Sequence, residues 1–482
     1  MSHDAAVSAD RACTAPHTSL KFDQYGWVTV CSANSRDVLG HVAERSIADM
    51  WRGEELQRIR AAFVDGGLAP GCDLCRWQRS QGGDEIMYAR LYDWLAPRAT
   101  THAPVHAEFV FSNRCNLRCV MCNGALSSSI RSEVGLPPLA SPYPDRFFDE
   151  LAGLLPGFAQ LKFLGGEPFL SAEAHRVWEA VAALDAAPPS CHVTTNGTVW
   201  TPRMEALLER VPMSFAVSLD GATAATVESI RRGADFGTVM ANLDRFQEHA
   251  ARHGTDVTLT YCLMVDNWHE LGDFLLLAEA RGVETFVNTV ITPFRLSVYK
   301  LPRPQLRAVI EELEARSPVL EPRLVRNLGV WRDQLVRLRA ALDAPDEQTE
   351  SPVHFPAFDP PRLDPPAADT ADARASVLRA WSDVQPLQLD VGPEGSIRSI
   401  DPGHLADLGV EHLVGGGIDE LFVWLHAAFG RPADSSYEEH RVDRGDRLLR
   451  FESSDQETEV RILSERVGDH ADWLLATRSA PH

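Results

Sequence analysis

The chain has 482 residues, of which 44% are hydrophobic and 24% are charged, as expected for a soluble globular protein of roughly two to four domains. Its formal net charge of −22 opposes binding to the phosphate backbone of nucleic acids. No apolar run approaches the roughly 18 residues of a membrane span, and the first residues lack the basic and apolar regions of a secretory signal. We therefore expect a cytoplasmic protein whose partners include neither a membrane nor a nucleic acid.

Nine cysteines in a reducing compartment are not expected to form a disulfide framework, so their spacing must indicate their role. Cys191 and Cys262 each stand alone in an apolar stretch, where cysteine usually acts as a small buried hydrophobe. The other seven form an N-terminal group of four and a central group of three.

The N-terminal group has the spacing C-x17-C-x40-C-x2-C and consists of Cys13, Cys31, Cys72 and Cys75. Alternating residues around Tyr25 and Gly26 predict a hairpin. A helical period follows, with an inward face formed by Ile47, Trp51, Leu56, Ile59 and Phe63. Four thiolates would saturate one 4Fe–4S cluster and leave no open iron. A structural zinc ion accepts the same four ligands, so both readings stay open.

The central group lies in SNRCNLRCVMC, where Cys115, Cys119 and Cys122 form a C-x3-C-x2-C run among asparagine and arginine residues. Three closely spaced thiolates suit a 4Fe–4S cluster whose fourth iron is open to an exogenous ligand. A zinc ribbon that joined Cys72 and Cys75 to Cys119 and Cys122 would need a spacer of about 15 to 20 residues. The gap in this chain is more than twice that long.

From residue 106 to about 291, short β-rich runs alternate with amphipathic helical stretches. The predicted strands are HAEFVFSN, QLKFLGG, CHVTTNG, SFAVSLDG, DVTLTYCLMV and ETFVNTVI. Six such repeats predict an α/β fold with a parallel sheet and right-handed crossovers, either open or curled into a partial (β/α)6 TIM-like barrel. Chemistry in these folds collects at the carboxyl ends of the strands. The polar and glycine-rich residues at those ends are Gly165, Gly166, Glu167, Thr195, Asn196, Gly197, Ser218 and Asp220.

The combination of SNRCNLRCVMC, LGGEP, TTNGT and SLDG after successive strands resembles the radical S-adenosylmethionine (radical SAM) superfamily over residues 104–295. The resemblance implies that Cys115, Cys119 and Cys122 bind a 4Fe–4S cluster, whose open iron is chelated by S-adenosylmethionine. The implied reaction is reductive cleavage of this cofactor to a 5′-deoxyadenosyl radical, which removes a hydrogen atom from an unactivated C–H bond of the substrate.

The resemblance also implies contacts to S-adenosylmethionine. Gly165 and Gly166 would let the backbone approach its methionine end, and Glu167 would accept from its ammonium group. The remaining implied contacts are Asn196, Ser218, Asp220, Arg231 or the adjacent Arg232, and Asn288 in the strand-end segment 288–293. For the two arginines and Asn288, a solvated or strand-end position is an equal alternative. No residue is assigned as catalytic.

The N-terminal cysteine group resembles the SPASM or twitch extension, which holds an auxiliary iron–sulfur cluster. That extension normally follows the core, whereas here it precedes it. The resemblance implies a second 4Fe–4S cluster with a role in electron transfer, and an external electron donor such as flavodoxin or ferredoxin. We expect this domain to span residues 1–100 and the radical SAM core to span residues 104–300.

Beyond the core, the pattern predicts a helical extension over residues 301–350 as one or two amphipathic helices. A Pro-rich linker is expected over 351–378, followed by a small α+β domain over 379–482. The strand-turn-strand pattern from Asp390 to Gly395 faintly resembles PAS-type ligand-binding domains.

Two classes of function follow. The first is a radical SAM enzyme that oxidises, crosslinks or epimerises a peptide or a small metabolite. The second is a regulatory protein that binds S-adenosylmethionine or another ligand and senses it through the C-terminal domain. The complete cysteine triad favours the enzyme, because a cluster without redox work would be a costly, oxygen-sensitive addition.

Overall fold

The computed structural model describes residues 12–34, 37–63, 66–82, 87–100, 102–133, 138–185, 187–290 and 296–343, together with six strands nearer the C-terminus. The chain divides into two compact units. The first unit contains the N-terminal module, the core and the helical extension. The second contains residues 357–482 and the stretches Asn123–Ala125 and Arg131–Pro137.

The described part of the N-terminal module contains three short strands, three α-helices, a short 3₁₀ helix (Ala15–His17) and a long one. The other elements are β1 (Ser19–Phe22), β2 (Trp27–Thr29), β3 (Gly40–His41), α1 (Ile47–Arg52), α2 (Glu54–Ala62), α3 (Asp73–Gly82) and the long 3₁₀ helix Tyr88–Arg98. The predicted hairpin is confirmed as the antiparallel pair β1–β2. The predicted single helix is instead two helices, because Gly53 adopts an extended conformation that ends α1 and begins α2.

The core alternates strands and helices, as the pattern predicts. Its strands are β4 (His106–Phe109), β5 (Arg118–Cys119), β6 (Gln160–Phe163), β7 (Ser190–Thr195), β8 (Met213–Ser218), β9 (Arg231–Arg232), β10 (Val257–Leu263) and β11 (Glu284–Thr289). Its helices are α4 (Ser128–Glu133), α5 (Asp145–Leu154), α6 (Ala172–Ala182), α7 (Pro202–Leu208), α8 (Ala224–Ile230), α9 (Phe236–His253) and α10 (Leu271–Ala280).

Nine strands form one sheet in the order β11-β10-β8-β7-β6-β4-β1-β2-β3. The strands from β11 to β1 run parallel, whereas β2 and β3 are antiparallel. The predicted α/β fold of the core, a partial TIM-like arrangement, is therefore confirmed. The N-terminal module extends this sheet, because β1 pairs along its whole length with β4, from Ser19 with His106 to Phe22 with Phe109.

The two faces of the sheet differ in polarity. One face is apolar and packs on the helices: the ring of Phe163 lies 4.9 Å from that of Trp178 on α6, and the ring of Phe215 lies 4.4 Å from that of Phe246 on α9. Successive residues of a strand point to opposite faces, so the intervening positions form a second face, here called the inner face. It carries polar residues such as Glu108, which is why these parallel strands alternate instead of being uniformly apolar.

Side-chain caps begin the helices directly after the strand ends. Ser171, Thr201, Thr223 and Asp235 each accept a hydrogen bond from the backbone N–H three residues ahead, at the starts of α6, α7, α8 and α9. Such caps satisfy N–H groups that have no partner within the helix. They fix the loops that follow the carboxyl ends of the strands.

The helical extension forms two helices, α11 (Arg303–Leu320) and α12 (Leu328–Asp343). The Pro-rich linker predicted at 351–378 lies outside the described residues. In the second unit, a four-stranded sheet has the order β13-β12-β17-β16, and β14 pairs with β15. These strands are β12 (Leu387–Val391), β13 (Ile397–Asp401), β14 (Glu438–Arg441), β15 (Arg447–Arg450), β16 (Thr458–Val467) and β17 (His470–Ser479). The domain boundaries and the PAS-type resemblance stay predictions.

Within the described residues, none of the helices combines the length and the apolar character that a membrane span requires.

Candidate active site

The central cysteines follow β4 in a loop that the chain fixes at several points. The backbone N–H of Cys115 donates to Ser128 Oγ at 3.1 Å, and the hydroxyl of Ser129 donates to the Cys115 carbonyl at 2.8 Å. Cys119 lies on β5, which pairs with β9 so that Cys119 is opposite Arg231. The N–H of Cys122 donates to the Cys119 carbonyl at 3.0 Å. All three cysteines are partly exposed.

The Gly165–Glu167 loop lies against the cysteine loop. A Cβ atom at Gly166 would be 2.3 Å from the Arg114 carbonyl oxygen, and Gly165 has a φ of +113°. The N–H of Glu167 donates to the same Arg114 carbonyl at 2.6 Å. Glycine is therefore required at these positions so that the loop can contact the chain's own cysteine loop. The sequence motif alone did not reveal this requirement. Their predicted contact with the cofactor stays a prediction.

Glu167 is 1% exposed, and protein donors occupy both of its carboxylate oxygens. Oε1 accepts from Thr195 Oγ1 at 2.9 Å and from the Phe169 N–H at 3.2 Å, and Oε2 accepts from the Asn196 N–H at 2.7 Å. Burial raises the pKa of Glu167 to about 7 despite these hydrogen bonds. This carboxylate therefore links the end of β6 to the end of β7 by hydrogen bonds. The sequence predicted a contact between Glu167 and the cofactor's ammonium group, and it did not predict this structural role.

Asn196 connects the end of β7 to the cysteine loop. Its Nδ2 donates to Asn116 Oδ1 at 3.0 Å and lies 3.8 Å from Cys115 Sγ. Its Oδ1 accepts from the N–H and the hydroxyl of Thr198. The Leu117 N–H lies 3.5 Å from the same Cys115 sulfur. Hydrogen bonds to ligand sulfurs are a usual feature of iron–sulfur sites.

Asp220 and Arg231 form a buried ion pair next to Cys119. Arg231 Nη2 lies 2.6 Å from Asp220 Oδ2, and these side chains are 9% and 0% exposed. Asp220 Oδ1 also accepts from the Cys262 N–H at 2.6 Å, and Asp220 adopts a left-handed φ of +63°. In this structure Asp220 therefore holds Arg231 beside Cys119. Its predicted contact with the cofactor stays a prediction.

The other predicted contacts lie at the same edge. Ser218 ends β8 and accepts a hydrogen bond from Thr260 Oγ1 at 2.9 Å. Asn288 is partly exposed on β11, paired with Cys262 of β10, whereas residues 291–293 of the predicted segment lie outside the described residues. Arg232 is exposed. Cys191 is fully buried as expected, but Cys262 is only partly buried.

The four N-terminal cysteines line one cavity. All four thiols contribute to its wall, together with Asn34, Tyr88 and Tyr92. The cysteines are 6 to 8% exposed. Burial raises the pKa values of Cys13 and Cys72 to about 12 each, so the thiols stay protonated unless a bound cation compensates their charge.

The number of thiols in each group matches an iron–sulfur cluster. Four N-terminal thiols equal the ligand number of a saturated 4Fe–4S cluster, although four thiolates also suit one structural zinc ion. The central set offers three, which matches a cluster with one open iron.

Aromatic residues separate this cavity from the inner face of the sheet. Tyr88 and Tyr92 line the cavity. The hydroxyl of Tyr92 donates to Oε1 of Glu108 on β4 at 2.7 Å, and the hydroxyl of Ser32, next to Cys31, donates to Oε2 at 2.6 Å. The N-terminal module therefore packs on the inner face of the core, although it comes before the core in the chain.

Residues 109–278 match the family model of the radical SAM superfamily, and residues 13–76 match that of SPASM, an iron–sulfur cluster-binding domain. The second match begins at Cys13 and ends one residue after Cys75. The chain carries a radical SAM domain preceded by a SPASM domain. Domains of these two types bind iron–sulfur clusters and S-adenosylmethionine, and the SPASM match favours iron–sulfur over the zinc alternative.

Two curated proteins match part of this chain. An AdoMet-dependent heme synthase from Methanosarcina barkeri is 33% identical over 134 residues, which are 28% of this chain and 36% of that protein. A probable GTP 3′,8-cyclase from Methanocella arvoryzae is 33% identical over 113 residues, which are 23% of this chain and 32% of that protein. The chain thus spans about a third of the length of these relatives.

Two solved structures match less than half of this chain and share little sequence with it. Streptococcus suis SuiB bound to the precursor peptide SuiA has a TM-score of 0.33 and 14% identity, covering 45% of this chain and 47% of that one. Native anSMEcpe with bound AdoMet has a TM-score of 0.34 and 16% identity, covering 44% of this chain and 59% of that one.

Around the radical SAM site, sequence reasoning missed residues that the fold brings in from a distance. Asn116 and Thr198 hydrogen-bond to each other at 2.8 Å, and Ser128 and Ser129 hold Cys115. In the SPASM module it missed Ser32 and Tyr92, which hold Glu108. The sequence offered one signal for the contacts of Ser32 and Tyr92, namely the acidic Glu108 in the otherwise largely apolar strand HAEFVF.

Proposed function

We propose that this chain is a radical SAM enzyme that removes a hydrogen atom from a peptide or small-molecule substrate held at the inner face of the sheet. One observation carries this proposal. Three features meet at the carboxyl edge of the sheet: Cys115, the loop that contains Gly166, and Asn196. The cavity lined by the four N-terminal thiols adjoins the inner face below that edge.

The central cysteines would hold the first 4Fe–4S cluster. When bound, that cluster and S-adenosylmethionine supply reductive cleavage and the radical that takes hydrogen. Asn196 donates towards Cys115 Sγ and orients its loop. Gly165, Gly166, Ser218 and Asn288 line the edge where the cofactor would lie. The Arg231 guanidinium places a positive charge beside Cys119, held there by Asp220.

The N-terminal cysteines would hold the auxiliary 4Fe–4S cluster, all four ligands being protein thiolates. Such a site accepts or passes an electron without binding substrate. The net reaction would therefore be an oxidation, with crosslinking and epimerisation as the other outcomes of hydrogen removal. The electron donor would be an external protein such as flavodoxin or ferredoxin.

The names of the two curated relatives refer to small molecules, a haem and GTP, which favours the small-molecule branch for this chain. The shared region is only about a third of each relative, so a peptide substrate remains part of the proposal.

Cleavage of the cofactor tests this proposal. With a strong reductant and no substrate, the anaerobically reconstituted protein should slowly convert S-adenosylmethionine to 5′-deoxyadenosine and methionine, measured by liquid chromatography. The Cys115→Ala/Cys119→Ala/Cys122→Ala variant should form none, because the open-iron site loses its ligands. Cys191→Ala is the matched control, since this buried thiol lies in neither group, and it should retain cleavage. A wild-type protein that contains iron and forms no 5′-deoxyadenosine would instead favour the regulatory alternative.

A further inference from the structure

Lysine is rare in this chain. Of its 46 basic Lys and Arg residues, only Lys21, Lys162 and Lys300 are lysines. Two of these three lie in the same sheet, Lys21 on β1 and Lys162 on β6, and only strand β4 separates them. Arginine and lysine are not interchangeable: the ammonium group is a compact, mobile point charge with three donors, whereas guanidinium is a planar fork.

The strand register places both lysines beside Glu108. Lys21 on β1 is paired with Glu108 on β4, and Glu108 is paired with Lys162 on β6. Directly paired residues of neighbouring strands point to the same face. Phe22, which follows Lys21, stacks on Phe109 of the helix-covered face, so Lys21, Glu108 and Lys162 all lie on the inner face.

The Glu108 carboxylate does not hold either ammonium group in an ion pair. Its two oxygens accept from the hydroxyls of Tyr92 and Ser32, and it is 2% exposed. Within the part of the chain that the structure describes, neither lysine side chain makes a hydrogen bond or an ion pair, and each residue is partly exposed. Two ammonium groups therefore flank one buried carboxylate, and a second carboxylate, that of Asp256, lies near His192 on the neighbouring strand β7.

The lysines lie close to the edge that carries the cofactor motifs. Lys162 is one residue before the carboxyl end of β6 and four residues before Gly166 in the chain. His192 on β7 is paired with Lys162. Burial and the neighbouring Lys162 lower the pKa of His192 to about 4, so at neutral pH it is an uncharged donor or acceptor beside Lys162.

We propose that Lys21 and Lys162, together with His192, form a binding site for an anionic group of the substrate, a carboxylate or a phosphate. This inference rests on the proposed function and adds a substrate class to it. A substrate anchored by its anion at this level would extend towards the cofactor edge, so the attacked carbon lies several bonds from the anionic group. Glu108 lies between the two lysines in the sheet and links the site to the wall of the N-terminal cavity.

Pyridoxal 5′-phosphate is a suitable probe, because its phosphate binds to anion sites and its aldehyde reacts with a nearby amine. Condensation with the lysine ε-amine releases water and gives an imine. Cyanoborohydride then delivers hydride to the imine carbon, which leaves a stable secondary amine. We expect Lys21 and Lys162 in the reconstituted protein to react about tenfold faster than Lys300, as one favourable anion contact allows. Each rate is normalised to the unfolded chain and read by peptide mass spectrometry.

Competition identifies the anion. Inorganic phosphate or succinate should protect Lys21 and Lys162 and leave Lys300 unchanged, and the more effective competitor indicates whether the substrate carries phosphate or carboxylate. Lys162→Met should slow the labelling of Lys21, whereas Lys162→Arg keeps the charge and should preserve protection. Equal labelling of all three lysines, or no protection by either anion, would overturn the site. The assay needs no S-adenosylmethionine, so its failure is distinct from a failure of cofactor cleavage.

Discussion

Anaerobically reconstituted protein should contain about eight irons per chain, four in each of two 4Fe–4S clusters. Replacing Cys115, Cys119 and Cys122 with alanine should leave about four irons, because only the N-terminal cluster keeps its ligands. Replacing Cys13, Cys31, Cys72 and Cys75 should also leave about four, in the open-iron site. Iron and zinc are both measured by plasma mass spectrometry and divided by the protein concentration.

The control for these changes is the single replacement of Cys191, which should leave the iron content at the wild-type value. A wild-type protein with about four irons and one zinc would contradict the auxiliary cluster and leave the radical SAM site intact. The two sets of variants separate the sites, since the N-terminal thiols and the central thiols lie in different parts of the first unit.

Breaking the Asp220–Arg231 pair should destabilise the protein strongly. Asp220→Asn leaves a buried guanidinium beside Cys119 without its carboxylate partner, and loss of one partner of a buried pair costs about 3–5 kcal/mol. The loss is measured as a lower free energy of unfolding in urea, under anaerobic conditions with the clusters bound.

The Arg210–Glu179 pair is the matched control, because its side chains are 50% and 43% exposed. Glu179→Gln should cost no more than about 1 kcal/mol. The Asp220→Asn/Arg231→Met double variant should be less destabilised than the sum of its single variants, since no charge is left unpaired. An Asp220→Asn protein as stable as the Glu179→Gln protein would show that the buried pair does not support the site.

The core could be predicted from the sequence because its signals are local. The six predicted strands correspond to β4, β6, β7, β8, β10 and β11, since each has a short β-rich run followed by a glycine or polar motif. The placement of the motifs at one edge then follows from the parallel arrangement. The ligand spacing of the cysteines is likewise a local property, readable without the fold.

What could not be predicted depends on contacts between distant residues. SLDG reads as a cofactor motif, and the sequence does not reveal that Asp220 pairs with Arg231, which β9 places opposite Cys119 of β5. GGE reads as a cofactor loop, yet the Glu167 carboxylate is occupied by Thr195 and Asn196. These partners become visible only in the folded chain.

The position of the N-terminal module is a further example. Its cysteine spacing predicts a cluster domain, but nothing local in the hairpin around Tyr25 and Gly26 indicates that β1 will pair in parallel with β4. That pairing brings Lys21 beside Glu108 and brings the N-terminal cavity to the inner face. An extension that precedes the core thereby adjoins the face where we place the substrate.

The most direct test of the account is the electron paramagnetic resonance spectrum of the reduced protein with and without S-adenosylmethionine. Our central claim is that the cofactor binds the open iron held by Cys115, Cys119 and Cys122. Adding S-adenosylmethionine should therefore change the spectrum of the variant that lacks Cys13, Cys31, Cys72 and Cys75. It should not change the spectrum of the variant that lacks the three central cysteines. The opposite pattern, with the cofactor perturbing only the N-terminal cluster, would contradict the account.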